Sequence, residues 1–161
     1  MIFMESEHLK PGAQTSMTQT IQFRRLGRSI AAVLIGMAVG VLVTVGTDFA
    51  LHAAGLFPPW DQRVSNALLL LATGYRTIYS VAASYLTAYL APYRPLAHAL
   101  VGGAFGFLAS AAGAVATWNA GPAFQTHWYP VALVILAIPQ AWVGGWLRVR
   151  QLKAKPAFAA Q

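Results

Sequence analysis

The sequence predicts an all-α protein, a membrane-embedded antiparallel four-helix bundle with short loops. Three observations carry this. Hydrophobic residues make up 57% of the 161-residue chain and charged residues only 9%, whereas a soluble domain carries about a quarter charged residues. Apolar runs of about 20 residues, enough to cross a bilayer as helix, alternate with short connections rich in proline or polar residues. The formal charge of +7 comes from 11 Lys and Arg against 4 Asp and Glu, and the basic residues sit at the ends of the apolar runs. That placement is the pattern of membrane flanks rather than of a nucleic-acid surface, so no nucleic-acid partner is expected. With no cysteine, disulfides, thiol chemistry, iron–sulfur clusters and thiolate zinc sites are excluded.

Residues 1–28 mix Pro, Gly, Gln, Ser, Thr and scattered charges without apolar periodicity, and are expected to form a disordered basic tail ending in Arg24, Arg25 and Arg28. Met4 and Met17 offer alternative starts. The transmembrane domain is expected over 29–147. Its first span, 29–56, is stopped by Pro58 and Pro59, because proline cannot continue the backbone ladder. The apolar stretch from Ile30 to Val45 is long for a signal peptide and the chain stays apolar beyond it, so it reads as an uncleaved span.

The second span, 64–90, follows the short connection Trp60 to Arg63. It carries a polar stripe at Thr73, Thr77, Ser80, Ser84 and Thr87 with Arg76 beside it, which keeps one helix face towards a neighbour. Pro92 and Pro95 leave room only for a tight helical hairpin. The third span, 96–118, repeats small residues at Gly102, Gly106, Ser110, Gly113 and Thr117, a ladder expected to let helix backbones approach closely. The fourth span, 129–147, holds Pro139, which should free the carbonyl of Ile135 and kink the helix. A second basic tail, 148–161, contains Arg148, Arg150, Lys153 and Lys155.

Orientation follows from the basic residues. Lys10, Arg24, Arg25 and Arg28, then Arg94, then the C-terminal cluster fall on one side, against Arg63 alone on the other. Both termini are therefore expected in the cytoplasm and the protein in the cell's inner membrane. Phe57, Trp60, Trp118, Trp128 and Tyr129 fit an outer aromatic belt, and Tyr89, Tyr93, Trp142 and Trp146 an inner one.

One face of the first span reads Gly36, Gly40, Thr44, Asp48 and His52 at intervals of four, small and polar on an otherwise apolar helix. At a rise of 1.5 Å per residue, Asp48 lies about 12 Å below the outer end of its span and Arg76 about 18 Å below its own. Ser110 lies about 12 Å down and Gln140 about 16 Å, so all four share a layer. A lone charge in hydrocarbon costs several kcal/mol, and an opposite charge at matching depth offsets much of that. Asp48 and Arg76 are therefore expected to pair across the first hairpin. Gln140 is expected as a third member, because its amide can donate to a carboxylate. Tyr75, Tyr79 and His52 should surround the pair on its outer side. Gly36, Gly40, Thr44, Gly102, Gly106 and Ser110 are the expected helix-packing positions.

Other chemistries lack support. His98 lies near the inner face and His52 and His127 near the outer one, which argues against a bis-histidine haem. His52, His127 and Asp61 have no metal-setting spacing, and Ser110, Asp48 and the histidines form no hydrolase motif. No enzyme activity, metal or cofactor is expected. The expectation is a non-catalytic structural or assembly protein, with the lipid bilayer and a second copy or a membrane-protein partner around it. The alternative is a small transporter or proton-linked permeation protein using the Asp48–Arg76 core.

The runs TDFALHAAGLFPPW, YRTIY, SYLTAYLAPYRPLAHAL, GAVATWNAGPAF and WYPVALVILAIPQAWVGGWL resemble a group of small uncharacterised bacterial membrane proteins with four predicted spans and no assigned activity. The similarity covers about Thr44 to Leu147 and implies a multi-pass protein of the bacterial cytoplasmic membrane. Four spans also resemble the small multidrug-resistance exporters, which place one carboxylate in the first helix and work as dimers. Here that residue is Asp rather than Glu, nearer the outer end, with Arg76 at matching depth. A carboxylate held by a guanidinium is a poor exchanger of protons for cationic drugs.

Overall fold

The computed structural model describes residues 11–121 and 126–154, with side chains from residue 25 onward. Among them there are four helices and no strand: α1, Pro11–Ala53; α2, Asn66–Leu90; α3, Pro95–Thr117; and α4, Trp128–Ala154. Three segments are long and apolar enough to cross a membrane, Arg25–Ala53 in α1, Pro95–Thr117 and Trp128–Ala154. This suggests a multi-pass membrane protein. The helix outside that set, α2, is 25 residues long, and its Arg76 and hydroxyl-bearing stripe lower its apolar character. Like α3, it touches all three other helices, and its polar groups find protein partners.

Residues 11–28, expected as a disordered tail, are helical and continuous with the first span. Once the apolar segment has formed a helix, each added residue gains a backbone bond without a new nucleation cost. Pro11 stands at the first helical position, where its missing N–H costs no ladder bond. Residues 1–10 of that expected tail lie outside the described residues. The C-terminal tail is likewise helical as far as Ala154, and 155–161 lie outside the described residues.

The other boundaries fall within a few residues of expectation. Gly55, at φ +70°, turns the chain out of α1, while the N–H groups of Leu56 and Phe57 donate to the carbonyl of Leu51 at 3.0 and 3.2 Å. Pro58 and Pro59 then prevent any continuation. Val64 is not helical; Ser65 caps α2, its hydroxyl accepting from the Leu68 N–H at 3.4 Å. Pro95 occupies the first turn of α3. The helix α4 runs on through Pro139.

Contacts set the helix directions. Advancing along α1, its partners retreat along α2: Gly36 meets Thr87, Gly40 meets Ala83, and Asp48 meets Arg76. The two helices are antiparallel. Likewise Gly103 of α3 meets Ala141 and Gly145 of α4 meets Leu96 and Ala99. By contrast, α2 and α4 run parallel, from the Asn66–Trp128 contact through Thr77–Gln140 to Tyr85–Gln151.

Close approach is concentrated where glycine removes a side chain. A Cβ on Gly144 would lie 2.5 Å from the Val81 carbonyl oxygen and 2.7 Å from the Tyr85 nitrogen. Gly36, Gly103 and Gly145 are similarly hemmed in. Gly102 and Gly106, expected as helix-packing positions, make no close packing contact within this chain: a Cβ on either would meet nothing within 4 Å. The glycine of α3 that touches its neighbour is Gly103, one residue along, because the α4-facing side of α3 lies about 100° round the helix from the expected ladder.

Candidate functional site

The site begins with Asp48, near the C-terminal end of α1. Antiparallel packing on α2 brings Arg76 to it, and one guanidinium Nη hydrogen of Arg76 bonds Asp48 Oδ2 as a salt bridge. The hydroxyl of Tyr75 donates to Oδ1 of the same carboxylate. Neither charge is fully enclosed, the Arg76 and Asp48 side chains being 30% and 18% exposed. The Arg76 guanidinium also lies 5.9 Å from the ring centre of Tyr129 on α4, within the range of a cation–π contact.

One turn away, Tyr79 is joined to α1 differently. The Thr47 hydroxyl reaches the Tyr79 hydroxyl at 3.2 Å, and the Tyr75 and Tyr79 rings lie 5.7 Å apart. Adjacent residues of α1, Thr47 and Asp48, are thus held by adjacent turns of α2.

Gln140 is not the third member of the ion pair. Its buried side-chain amide donates to the Thr77 hydroxyl at 2.9 Å, and Thr77 in turn donates to the Thr73 carbonyl at 2.7 Å. Thr77 follows Arg76 by one residue, which turns it about 100° towards α4. Gln140 therefore shares the depth of the pair but faces another side of α2.

His52 lies one turn beyond Asp48, but its partner is the backbone. Its Nδ1–H donates to the Asp48 carbonyl oxygen at 2.8 Å, since a carbonyl can only accept. The imidazole is stacked on Trp60, 3.6 Å between centres and 7° from parallel, and faces Phe57 at 5.3 Å. These aromatics come from the segment folded back after Gly55. A second stack, Trp118 on His127 at 4.3 Å, stands at the same end of the molecule, where the His127 Nε2–H donates to the Trp118 carbonyl at 3.0 Å.

Two cavities flank the ion pair. The first, about 540 Å³, extends from Asp48 and Arg76 towards His52, Trp60, Thr117 and Tyr129. The second, about 380 Å³, runs the other way along the small-residue faces of α1 and α3, past Gly36, Gly40, Thr44, Gly102 and Gly106. Both are bounded by Asp48, Arg76, Ala109, Ser110 and Leu133. The charged pair with Ser110 thus stands in a shared wall. Asp48 and Arg76 are also the only Asp, Glu, Lys or Arg lining either cavity among the described residues.

Several participants escaped the sequence reading. Thr47 signalled nothing beyond being next to Asp48, and Tyr129 and Trp60 read as interface anchors. Thr77 was visible as part of a stripe, but its link to Gln140 depends on the angular position of α4. No protein-family model, curated protein or solved structure matches the chain.

Proposed function

We propose that this is a non-catalytic, four-span protein of a bacterial cytoplasmic membrane, with both termini in the cytoplasm, that gives a small solute passage through its polar core. One observation carries the reading: Asp48 and Arg76 stand in the wall common to two cavities that lead away from it in opposite directions. A pair serving only to fix helix register needs no space on either side. A polar partition between two vestibules is what a solute must meet and displace to cross.

The test is the double variant Asp48→Asn with Arg76→Gln, purified, reconstituted in liposomes and compared with wild type for uptake of a panel of small solutes. Uptake by wild type that the well-folded variant loses supports passage. Equal uptake by both, with only thermal stability altered, rules it out.

A second reading, assembly with another copy, is favoured by the second cavity, whose α3 wall at Gly102 and Gly106 no side chain of this chain fills. Nothing would oppose a Cβ there within 4 Å, which leaves room for a partner helix to approach closely. Cross-linking through a cysteine introduced at Gly102 tests it: a covalent dimer formed in membranes supports assembly, and a persistent monomer counts against it.

A further inference from the structure

If solutes pass through this core, the electrical balance of the core restricts which ones. Asp48 and Arg76 neutralise each other's charge in the structure, although the Arg76 Nε–H is buried without a partner, and neither cavity offers another Asp, Glu, Lys or Arg among the described residues. A cation that displaced Arg76 from Asp48 would strand a guanidinium only 30% exposed; an anion that displaced Asp48 would strand a carboxylate only 18% exposed. Either leaves one uncompensated charge away from bulk water, an arrangement that proteins avoid. A molecule carrying both an ammonium and a carboxylate escapes this penalty. It exchanges one ion pair for two, ammonium to Asp48 and carboxylate to Arg76, and the net charge of the site stays zero.

The rest of the larger cavity states what else the molecule should carry. Its walls add Leu69, Ala72, Ala114 and Leu133 with the aromatic groups of Trp60 and Tyr129, an apolar and aromatic enclosure around one charged spot. A volume of about 540 Å³ is within the range of small-molecule sites. Tyr75 remains bonded to Oδ1 of Asp48, holding the carboxylate in place while Arg76 turns to a new partner.

We infer that the cavity bounded by Asp48, Arg76 and Tyr75 binds a small zwitterion with an apolar or aromatic side group, an amino-acid-like molecule. The inference rests on the passage reading for its physiological meaning, but binding can be measured separately from transport.

The experiment uses the purified full chain and three matched probes: L-phenylalanine, phenethylamine, which lacks the carboxylate, and 3-phenylpropionate, which lacks the ammonium. Titration calorimetry in detergent should show L-phenylalanine binding about tenfold or more tightly than either relative, the worth of one charged hydrogen-bonding partner. Asp48→Asn should move the preference towards 3-phenylpropionate, and Arg76→Gln towards phenethylamine. Opposite shifts are not produced by a merely loosened fold. Should neither variant fold, the probe series on wild type still decides. Equal affinity for all three probes, no binding of any, or tightest binding of a singly charged one overturns the inference.

Liposome uptake of the same probes, corrected with Asp48→Asn/Arg76→Gln liposomes, separates the two proposals. Binding of L-phenylalanine without uptake of any probe keeps the zwitterion site and overturns passage. Uptake confined to a singly charged probe keeps passage and overturns the zwitterion.

Discussion

The side of α2 facing α4 and the side facing the C-terminal half of α1 are built on opposite principles. Towards α4, side chains are removed: Gly144 lies against the backbone of α2 at Val81 and Tyr85, and between polar links near the two ends, Asn66 to Trp128 and Tyr85 to Gln151, the middle one joins the buried Gln140 to Thr77. Towards α1, contact is close at Gly36 and Thr87. Further along, it passes to long side chains, Arg76 and Tyr75 reaching to Asp48, with cavities on both sides. The lesson is a division of labour within one helix. Backbone proximity fixes where α2 stands, and that fixed position lets an ion pair sit in open space without collapse.

Substitutions at graded positions can break this contrast. The largest effect is expected from Gly144→Val. Its side chain would press on backbone atoms that cannot move aside, costing about 3 kcal/mol or more, and should appear as a sharp loss of the monodisperse peak in heated size-exclusion chromatography. Next comes removal of one charge. Asp48→Leu leaves Arg76 unpaired; with both groups partly exposed the cost is about 2 kcal/mol rather than the full buried-pair value. The reversed pair, Asp48→Arg with Arg76→Asp, should recover melting temperature relative to either single reversal, and no recovery would argue against a direct interaction.

Gln140→Leu should cost about 1 kcal/mol, the worth of one hydrogen bond, because Thr77 keeps its bond to the Thr73 carbonyl. Smallest of all, Gly102→Ala should be neutral or raise stability by up to about 1 kcal/mol through helix propensity. If that change proves as damaging as Gly144→Val by the same chromatography, the open face is occupied in the folded protein and the contrast fails.

What was readable in the sequence follows from which coordinate a helix reveals. Depth along the axis is nearly fixed by residue count, so the matching levels of Asp48 and Arg76 could be read from two spans joined by a short turn. Angle about the axis is not fixed in that way. Gln140 was placed at the right level but on the wrong side of α2, and the α3 contact was assigned to Gly102 instead of Gly103, both slips of about one residue's rotation. Three of the four expected spans were legible from hydropathy. The helical state of 11–28 was not, because a polar segment without periodicity gives no signal when it merely continues a helix nucleated elsewhere. The stacking of His52 on Trp60 required the chain to double back after Gly55, which no periodicity encodes.

The length of α1 carries a mechanical consequence. Forty-three residues of uninterrupted helix extend about 65 Å, roughly twice the hydrocarbon thickness of a bilayer. About half of this rod must therefore protrude or lie oblique. Since the same rod carries Asp48 near its far end, a sideways push on its N-terminal half is transmitted as rotation of one wall of the cavity. A restraint on those first turns, by lipid or protein, would then act at a distance on the separation between Asp48 and Arg76.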